Sequence, residues 1–129
     1  MANISVNVLN QIPVEDQPIE ICERKGLGHP DSICDSVMDR ISVALSEEYL
    51  RRFGTILHHN IDKGLLVAGE VETKLGGGKA LKPMLMVFGD RATFGVGDIA
   101  IPVNRIVHDT AKKWFKDNLR MVHPEEHVR

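Results

Sequence analysis

The sequence has few cysteines, no long apolar run and no excess of basic residues. Cys22 and Cys34 are too few for a disulfide framework or a zinc site, so free thiols are expected. No apolar stretch approaches the ~20 residues that a membrane-spanning helix needs, and the N-terminus lacks the pattern of a secretory signal. A net charge of −2 argues against nucleic acid as principal partner. We therefore expect a cytoplasmic protein with no membrane or nucleic-acid partner.

Two amphipathic helices are predicted in a chain whose length and composition suit a single hydrophobic core. The chain has 129 residues, of which 43% are hydrophobic and 26% charged. Apolar side chains recur every three or four positions over residues 30–52, and Gly54 is expected to end that helix. A second helix is predicted over residues 103–119, where Trp114 and Phe115 are expected to be core or interface anchors.

Alternating or continuous apolar residues predict several short strands. The predicted strands lie at residues 4–8, 18–23, 55–57, 64–73 and 81–88. The last two are expected to form a β-hairpin around the three glycines at 76–78, with Gly69 allowing a close backbone approach. Residues 89–97 are rich in glycine and predict a mobile loop. Together these elements predict an α+β fold with a mixed or antiparallel sheet and two amphipathic helices.

The segment from Glu23 to Asp35 carries the densest set of chemically suggestive residues. Gly26 and Gly28 precede Pro30, which has the backbone angle suited to a first helical position, so a glycine loop is expected to lead directly into a helix. The outward amides of a helix start favour an anion such as phosphate. Asp31 and Asp35 lie one helical turn apart, and paired carboxylates beside phosphates are typical of Mg²⁺ sites.

The same residues also fit a purely structural interpretation. Asp31 would then be a first-turn acid that stabilises the helix dipole, Asp35 a solvated surface residue and His29 an N-cap. Glu23, at the end of a predicted strand, would be an ordinary exposed carboxylate. Spacing alone leaves both interpretations open, because a Gly-x-Gly pair before a helix is a weak signal.

Two further polar segments contain candidate binding residues. In the segment His58-His59-Asn60-Ile61-Asp62-Lys63, neighbouring histidines on an extended chain point to opposite faces, so hydrogen bonding is expected there rather than a shared metal ion. Arg91 lies in the glycine-rich segment. Its guanidinium suits a polyphosphate, with a surface ion pair as the alternative.

Several ordered motifs resemble S-adenosylmethionine synthetases (methionine adenosyltransferases). They are Gly28-His29-Pro30-Asp31 followed by Ile33 and Asp35, Glu23 six residues before the histidine, and Val67-Ala68-Gly69-Glu70-Val71-Glu72-Thr73. The whole string from Glu23 to Asp35, together with His58-His59-Asn60-x-Asp62-Lys63 and Gly89-x-Arg91-Ala92-Thr93, is similar to the archaeal branch. The resemblance covers roughly residues 17–129, and several blocks at consistent spacing are more specific than any one motif.

This resemblance implies a particular architecture and a missing remainder. Members of the family have three similarly built α+β domains that exchange segments, and their active sites lie between the subunits of a homodimer. Residues 1–129 would form a single N-terminal portion of such an enzyme. The downstream lysines and arginines that grip the triphosphate, and a downstream metal-binding aspartate, have no counterpart here. Little or no turnover is therefore expected from this portion alone.

The resemblance also implies a reaction and residue roles. The family forms S-adenosylmethionine from ATP and L-methionine, releasing phosphate and diphosphate, with Mg²⁺ and K⁺ as candidate ions. Asp31 would bind Mg²⁺ with Asp35 in support, and His29 would donate a hydrogen bond near the ribose oxygen or the leaving phosphate. Glu23 and Glu70 would orient the nucleotide and methionine. The further substrate-binding candidates are Asn60, Asp62, Lys63 and Arg91.

Some features leave other functions open. Ser32 stands where bacterial and eukaryotic members usually carry lysine, which removes a positive charge beside the phosphates. The main alternative is a non-catalytic module of this family that binds a nucleotide or a partner chain. A third is an unrelated Mg²⁺-dependent phosphohydrolase that uses Asp31 and Asp35.

Overall fold

The computed structural model describes residues 3–129, in which two packed helices lie against a long antiparallel hairpin. The helices are α1 (Pro30–Phe53), α2 (Val103–Asn118) and α3 (Pro124–His127), with a 3₁₀ turn at Val14–Asp16. The strands are β1 (His59–Asn60), β2 (Gly64–Val67), β3 (Glu70–Lys74), β4 (Gly77–Lys82), β5 (Leu85–Phe88), β6 (Arg91–Ala92), β7 (Gly95–Val96) and β8 (Ile99–Ala100). The predicted α+β class and both amphipathic helices are confirmed.

Helix α1 begins and ends where its sequence predicts. Pro30 occupies the first turn, where its missing N–H leaves no hydrogen bond unmade. At the other end Gly54 adopts a φ of 68° and donates its N–H to the Leu50 carbonyl, a left-handed conformation that glycine tolerates best. The helix turns one stripe inward, formed by Ile33, Val37, Met38, Ile41, Leu45 and Tyr49.

The hydrophobic core lies between this stripe, helix α2 and strand β5. Trp114 and Phe115 are both buried, as expected, with their rings edge to face at 5.6 Å. Met86 is the buried residue that β5 contributes. The packing therefore places both the start of α1 and the hairpin in fixed positions relative to one core.

Strands β2 to β5 form one hairpin with an interruption in the middle. The pair Val67 and Leu85 ends one ladder, and the pair Glu70 and Lys82 begins the next. The register of this second ladder shifts by one residue between Glu70 and Val71. At the interruption, a Cβ on Gly69 would lie 2.4 Å from the Lys82 carbonyl oxygen, so only glycine fits. The predicted hairpin and the close approach at Gly69 are confirmed.

The hairpin extends further than the sequence indicates. Strand β1 pairs with β6, matching His59 with Ala92 and Asn60 with Arg91. The predicted strand at 55–57 is wrong, because the pairing begins only at His59. The expected loop at 89–97 instead contains β6 and β7, the latter paired with β8. Two-residue strands are too short to show periodicity, so sequence patterning cannot detect them.

The strands predicted at residues 4–8 and 18–23 are also wrong for this structure. Ile4, Val6 and Val8 are 83%, 92% and 91% exposed, and no strand forms in either range. A strand needs a partner, and nothing within residues 3–129 pairs with either segment. Across the same described residues, no helix has both the length and the apolar character needed to cross a membrane.

The Tyr49 hydroxyl joins α1 to the residue that follows β6, and this contact should contribute to stability. Its hydroxyl donates to the Thr93 carbonyl at 2.9 Å and accepts from the Thr93 N–H at 3.1 Å. Tyr49→Phe removes both bonds and should lower the free energy of unfolding by about 1–3 kcal/mol. Urea denaturation measures this, with exposed Glu47→Gln on the same helix as a control expected to stay within about 0.5 kcal/mol. Equal stability of the two variants would contradict the prediction.

Candidate active site

The loop before α1 forms a tight turn that presents His29 and Asp31 together. The His29 N–H donates to the Gly26 carbonyl at 3.0 Å, which closes the turn. The His29 imidazole is the N-cap, because its Nδ1 accepts from the Asp31 N–H at 3.1 Å. With Nδ1 accepting, the neutral ring carries its proton on Nε2, and that N–H remains a hydrogen-bond donor. The predicted helix start is confirmed, and the N-cap role exists alongside any role in binding.

Asp31 is held by a lysine that sequence reasoning did not single out. Lys25 donates a short hydrogen bond to Asp31 Oδ2, and His29 Nδ1 lies 4.0 Å from the same oxygen. That hydrogen bond, together with the charge of Lys25, lowers the pKa of Asp31 and raises the pKa of Lys25. The Asp31 carboxylate is therefore ionised at neutral pH, and a cation that approaches Oδ2 competes with the Lys25 ammonium.

A basic depression adjoins this turn. Its volume is about 420 Å³, and its lining includes Arg24, Lys25, Gly26, Leu27 and Ser32. Lys25 is already paired with Asp31, so the groups that favour an anion here are the Arg24 guanidinium and the partly positive amides of the helix start. Arg24 and Lys25 were missed because a charged pair before a glycine resembles any solvated surface. Glu23 is exposed immediately before them.

The segment after β1 gathers a second group of predicted residues. Asn60 Nδ2 donates to Asp62 Oδ1 at 3.0 Å, and Lys63 Nζ lies 3.1 Å from Asp62 Oδ2. Arg91 lies directly across the β1–β6 ladder from Asn60. All four side chains are exposed. The structure therefore brings Asn60, Asp62, Lys63 and Arg91 together although Arg91 is distant from the other three in sequence.

Asp90 is a further residue of this group that the sequence did not indicate. Its Oδ1 accepts from the backbone N–H of Asp62 at 3.1 Å and of Lys63 at 3.0 Å. Oδ2 accepts a longer bond, 3.2 Å, from the same Lys63 N–H. A carboxylate next to the predicted Arg91 was visible in the sequence, but its partners lie 27 and 28 positions away and only the hairpin register identifies them.

The two groups lie along the same helix. A Cβ on Gly64 would lie 3.1 Å from Met38 Sδ and 3.5 Å from Cys34 Cβ, so β2 starts against the turns of α1 that follow Asp31. Glu70 lies beyond the far end of β2, exposed and paired with Lys82 at 2.5 Å. Within residues 3–129, no hydrogen bond or ion pair links the helix-start group directly to the Asn60–Lys63 group.

The His59 side chain makes hydrogen bonds through both ring nitrogens, and the His58 backbone makes another. His59 Nδ1 donates to the Leu57 carbonyl at 2.9 Å, and its Nε2 lies 3.1 Å from Ser42 Oγ. The His58 carbonyl accepts from Thr93 Oγ1 at 2.8 Å. The predicted hydrogen-bonding role is therefore confirmed for His59.

The described residues include one carboxylate at the helix start with the chemistry of a divalent-cation ligand. Among residues 3–129, no three His, Cys, Asp or Glu side chains converge to hold a metal ion by themselves. Mg²⁺ is commonly held by one or two carboxylates together with substrate phosphates and water. The ionised, exposed Asp31 beside the basic depression fits one such carboxylate. The donor set is compatible with Mg²⁺ that arrives with a polyphosphate.

Comparison with known proteins identifies the family. Residues 2–129 match the sequence profile of the S-adenosylmethionine synthetase (AdoMet synthetase) family. The chain belongs to the S-adenosylmethionine synthetase family. The probable S-adenosylmethionine synthase of Aquifex aeolicus is 44% identical over 128 residues, which cover 99% of this chain and 32% of that protein.

Further relatives give the same relationship. The S-adenosylmethionine synthase of Caldivirga maquilingensis is 42% identical over 130 residues, and that of Methanothrix thermoacetophila is 47% identical over 126. Each alignment covers 98% of this chain and 32% of the relative. The similarity to archaeal members is therefore confirmed. The chain spans about a third of the length of these synthases.

The ion pair at the helix start predicts a pH response. The folded-state pKa of Asp31 is lowered, so the stabilisation from its pairing with Lys25 is present above the unfolded pKa and is lost as the pH falls through the folded pKa. Lys25→Ala should move the Asp31 titration midpoint upward, toward that of an ordinary aspartate. Carbon-13 NMR of the side-chain carboxyl measures the midpoint, and Lys25→Arg is the charge-preserving control. An unchanged midpoint in Lys25→Ala would show that the pair does not form in solution.

Proposed function

We propose that this chain is the N-terminal third of a methionine adenosyltransferase, which forms S-adenosylmethionine from ATP and L-methionine. Family membership over nearly the whole chain supports the reaction class. The observation that carries the proposal is the helix start, where His29, Asp31 and Lys25 meet beside a basic depression suited to phosphate. Phosphate and diphosphate are the other products.

The chemistry requires alignment and charge stabilisation more than proton transfer. The methionine sulfur attacks C5′ of ATP, the C5′–O bond breaks, and the triphosphate departs before it is hydrolysed. The sulfur is a neutral thioether with no proton to lose, so no general base is needed in that step. The rate then depends on holding sulfur and C5′ in line and on stabilising the negative charge that accumulates on the departing oxygen.

The helix-start residues suit the stabilising role. The free Nε2–H of His29 donates to the ribose or phosphate oxygen, where charge develops. Arg24 and Lys25 line the basic depression beside the helix start and offset the charge of the triphosphate. Glu23 orients the nucleotide. The pairing with Asp31 holds the Lys25 ammonium at the helix start, beside the proposed phosphate site.

The second group suits substrate binding along the same helix. This exposed surface combines two cations, a carboxylate and an amide. They belong to Lys63 and Arg91, to Asp62 and to Asn60. We assign them to the polar parts of the substrates and Glu70 to methionine. To bind methionine, the Glu70 carboxylate would release the Lys82 ammonium and pair with the methionine ammonium, which has the same positive charge.

Asp31 is the residue of this chain that would hold Mg²⁺, with Asp35 one turn along the helix in support. The ion would neutralise part of the polyphosphate charge. K⁺ is a second ion consistent with the family, and the remaining ligands would come from substrate and from the other two-thirds of the enzyme. We further propose a cytoplasmic homodimer as the active form.

Measuring product formation tests this proposal. The 129-residue chain and the protein read from its complete gene are each incubated with ATP, methionine and Mg²⁺, and S-adenosylmethionine is quantified. We expect product from the complete protein only. Nucleotide binding with no product from either protein would instead favour a non-catalytic module. Phosphate release that does not require methionine would favour a phosphohydrolase.

Asp31→Asn in the complete protein is expected to reduce kcat by at least about 100-fold, because the loss of one charged ligand weakens both the metal site and the pairing with Lys25. Circular dichroism should show an intact fold, since Asp31 is exposed. Asp39→Asn, which removes an exposed carboxylate from the same helix, is the matched control and should retain activity. Wild-type turnover in Asp31→Asn would remove Asp31 from the metal site.

A further inference from the structure

The long hairpin contains a bulge between the β1–β6 and β2–β5 ladders. Asn60 pairs with Arg91 and Gly64 pairs with Phe88, so the three residues 61–63 face only the two residues 89 and 90. The extra residue interrupts the regular exchange of backbone hydrogen bonds. Bulges of this kind often re-aim side chains beside active sites.

The Asp90 side chain accepts the backbone hydrogen bonds that the bulge leaves without a strand partner. Its Oδ1 accepts both the Asp62 and Lys63 N–H groups, at 3.1 and 3.0 Å, while the Gly89 N–H donates to the Lys63 carbonyl at 2.9 Å. One carboxylate oxygen thereby takes the place of ladder acceptors that the bulge removes. Asp90 is half-buried, whereas the two donor residues are exposed.

The bonds to Asp90 determine how the bulge displays its side chains. With both amides tied inward, the side chains of Asp62 and Lys63 are exposed and pair with each other at 3.1 Å. Asn60 joins them at 3.0 Å, and Arg91 follows Asp90 directly in the chain. A small cavity of about 110 Å³, lined in part by Asp90 and Arg91, lies at the same place.

We infer that Asp90 is a positioning residue that holds the Asn60–Lys63 bulge in the conformation that binds substrate. The carboxylate makes its contacts to backbone amides, so it acts through Asp62 and Lys63 and needs no contact with the reacting atoms. The assignment to substrate binding rests on the proposed function, whereas the bonds from Asp90 to the two amides do not. We expect Asp90 to affect the binding of ATP, because Lys63 and Arg91 are the cations beside the bulge and ATP is anionic.

Two substitutions separate the acceptor from the charge. Asp90→Asn keeps the Oδ1 acceptor of both amides but loses the negative charge and the longer Oδ2 bond to the Lys63 N–H, whereas Asp90→Ala loses every acceptor. Hydrogen exchange of the Asp62 and Lys63 amides, measured by NMR on the 129-residue chain, should be about tenfold faster in Asp90→Ala. Asp90→Asn should stay near wild type. Asp109→Ala, on the exposed surface of α2, is the control and should change neither amide.

Kinetics of the complete protein test the functional part. Asp90→Ala should raise KM for ATP about tenfold with a smaller change in kcat, because a misplaced binding group weakens ground state and transition state alike. Asp90→Asn should restore KM. If Asp90→Ala does not fold, Asp90→Ser replaces it, since its oxygen is one bond nearer the backbone and cannot reach both amides.

The outcomes distinguish the two proposals. Wild-type exchange in Asp90→Ala, or equal impairment of the Asn and Ala variants, would overturn the acceptor role of Asp90. Faster exchange with an unchanged KM would overturn its role in substrate binding. A complete protein that forms no S-adenosylmethionine would overturn the proposed function, and the exchange data would still decide whether Asp90 holds the bulge.

Discussion

Burial of one face of α1 is the constraint on which the rest of the structure depends. Val37, Ile41, Leu45 and Tyr49 are completely buried, and the helix lies between α2 and the hairpin. Each large apolar side chain removed from water contributes roughly 1.5–3 kcal/mol. Within residues 3–129, α1 contributes six buried side chains and α2 four. Packing of the turns that follow determines where the first turn of α1 lies.

That packing lets an exposed site remain ordered. His29 and Asp31 are both exposed, yet the helix start, the N-cap and the turn at Gly26 restrict where they point. The pairing of Lys25 with Asp31 adds an electrostatic restraint without burying a charge, which would be costly. This arrangement suits the anion-binding role that we propose, because the groups stay accessible and need little reorganisation on binding.

The hairpin organises the second group of residues through backbone geometry. Its register brings Arg91 opposite Asn60, and its bulge brings the Asp90 carboxylate to the amides of Asp62 and Lys63. Tyr49 and Thr93 tie this end of the hairpin to the core. The polar surface is therefore connected to α1 by strand pairing and by one buried hydroxyl, so both groups of candidate residues depend on the same helix.

Local patterns in the sequence determined the two long helices, their ends at Pro30 and Gly54, the turn at the glycines and the close approach at Gly69. These features depend on residues within a few positions of one another, where backbone preference and apolar spacing act directly. Tertiary structure alone decided the pairing of Lys25 with Asp31, the bonds from Asp90 to the bulge and the lack of strands at residues 4–8 and 18–23. All three depend on which segments meet in space, which amino-acid spacing does not encode directly. The ion pair crosses a turn, and the Asp90 carboxylate bonds to amides 27 and 28 positions away. The two predicted strands have no partner within residues 3–129.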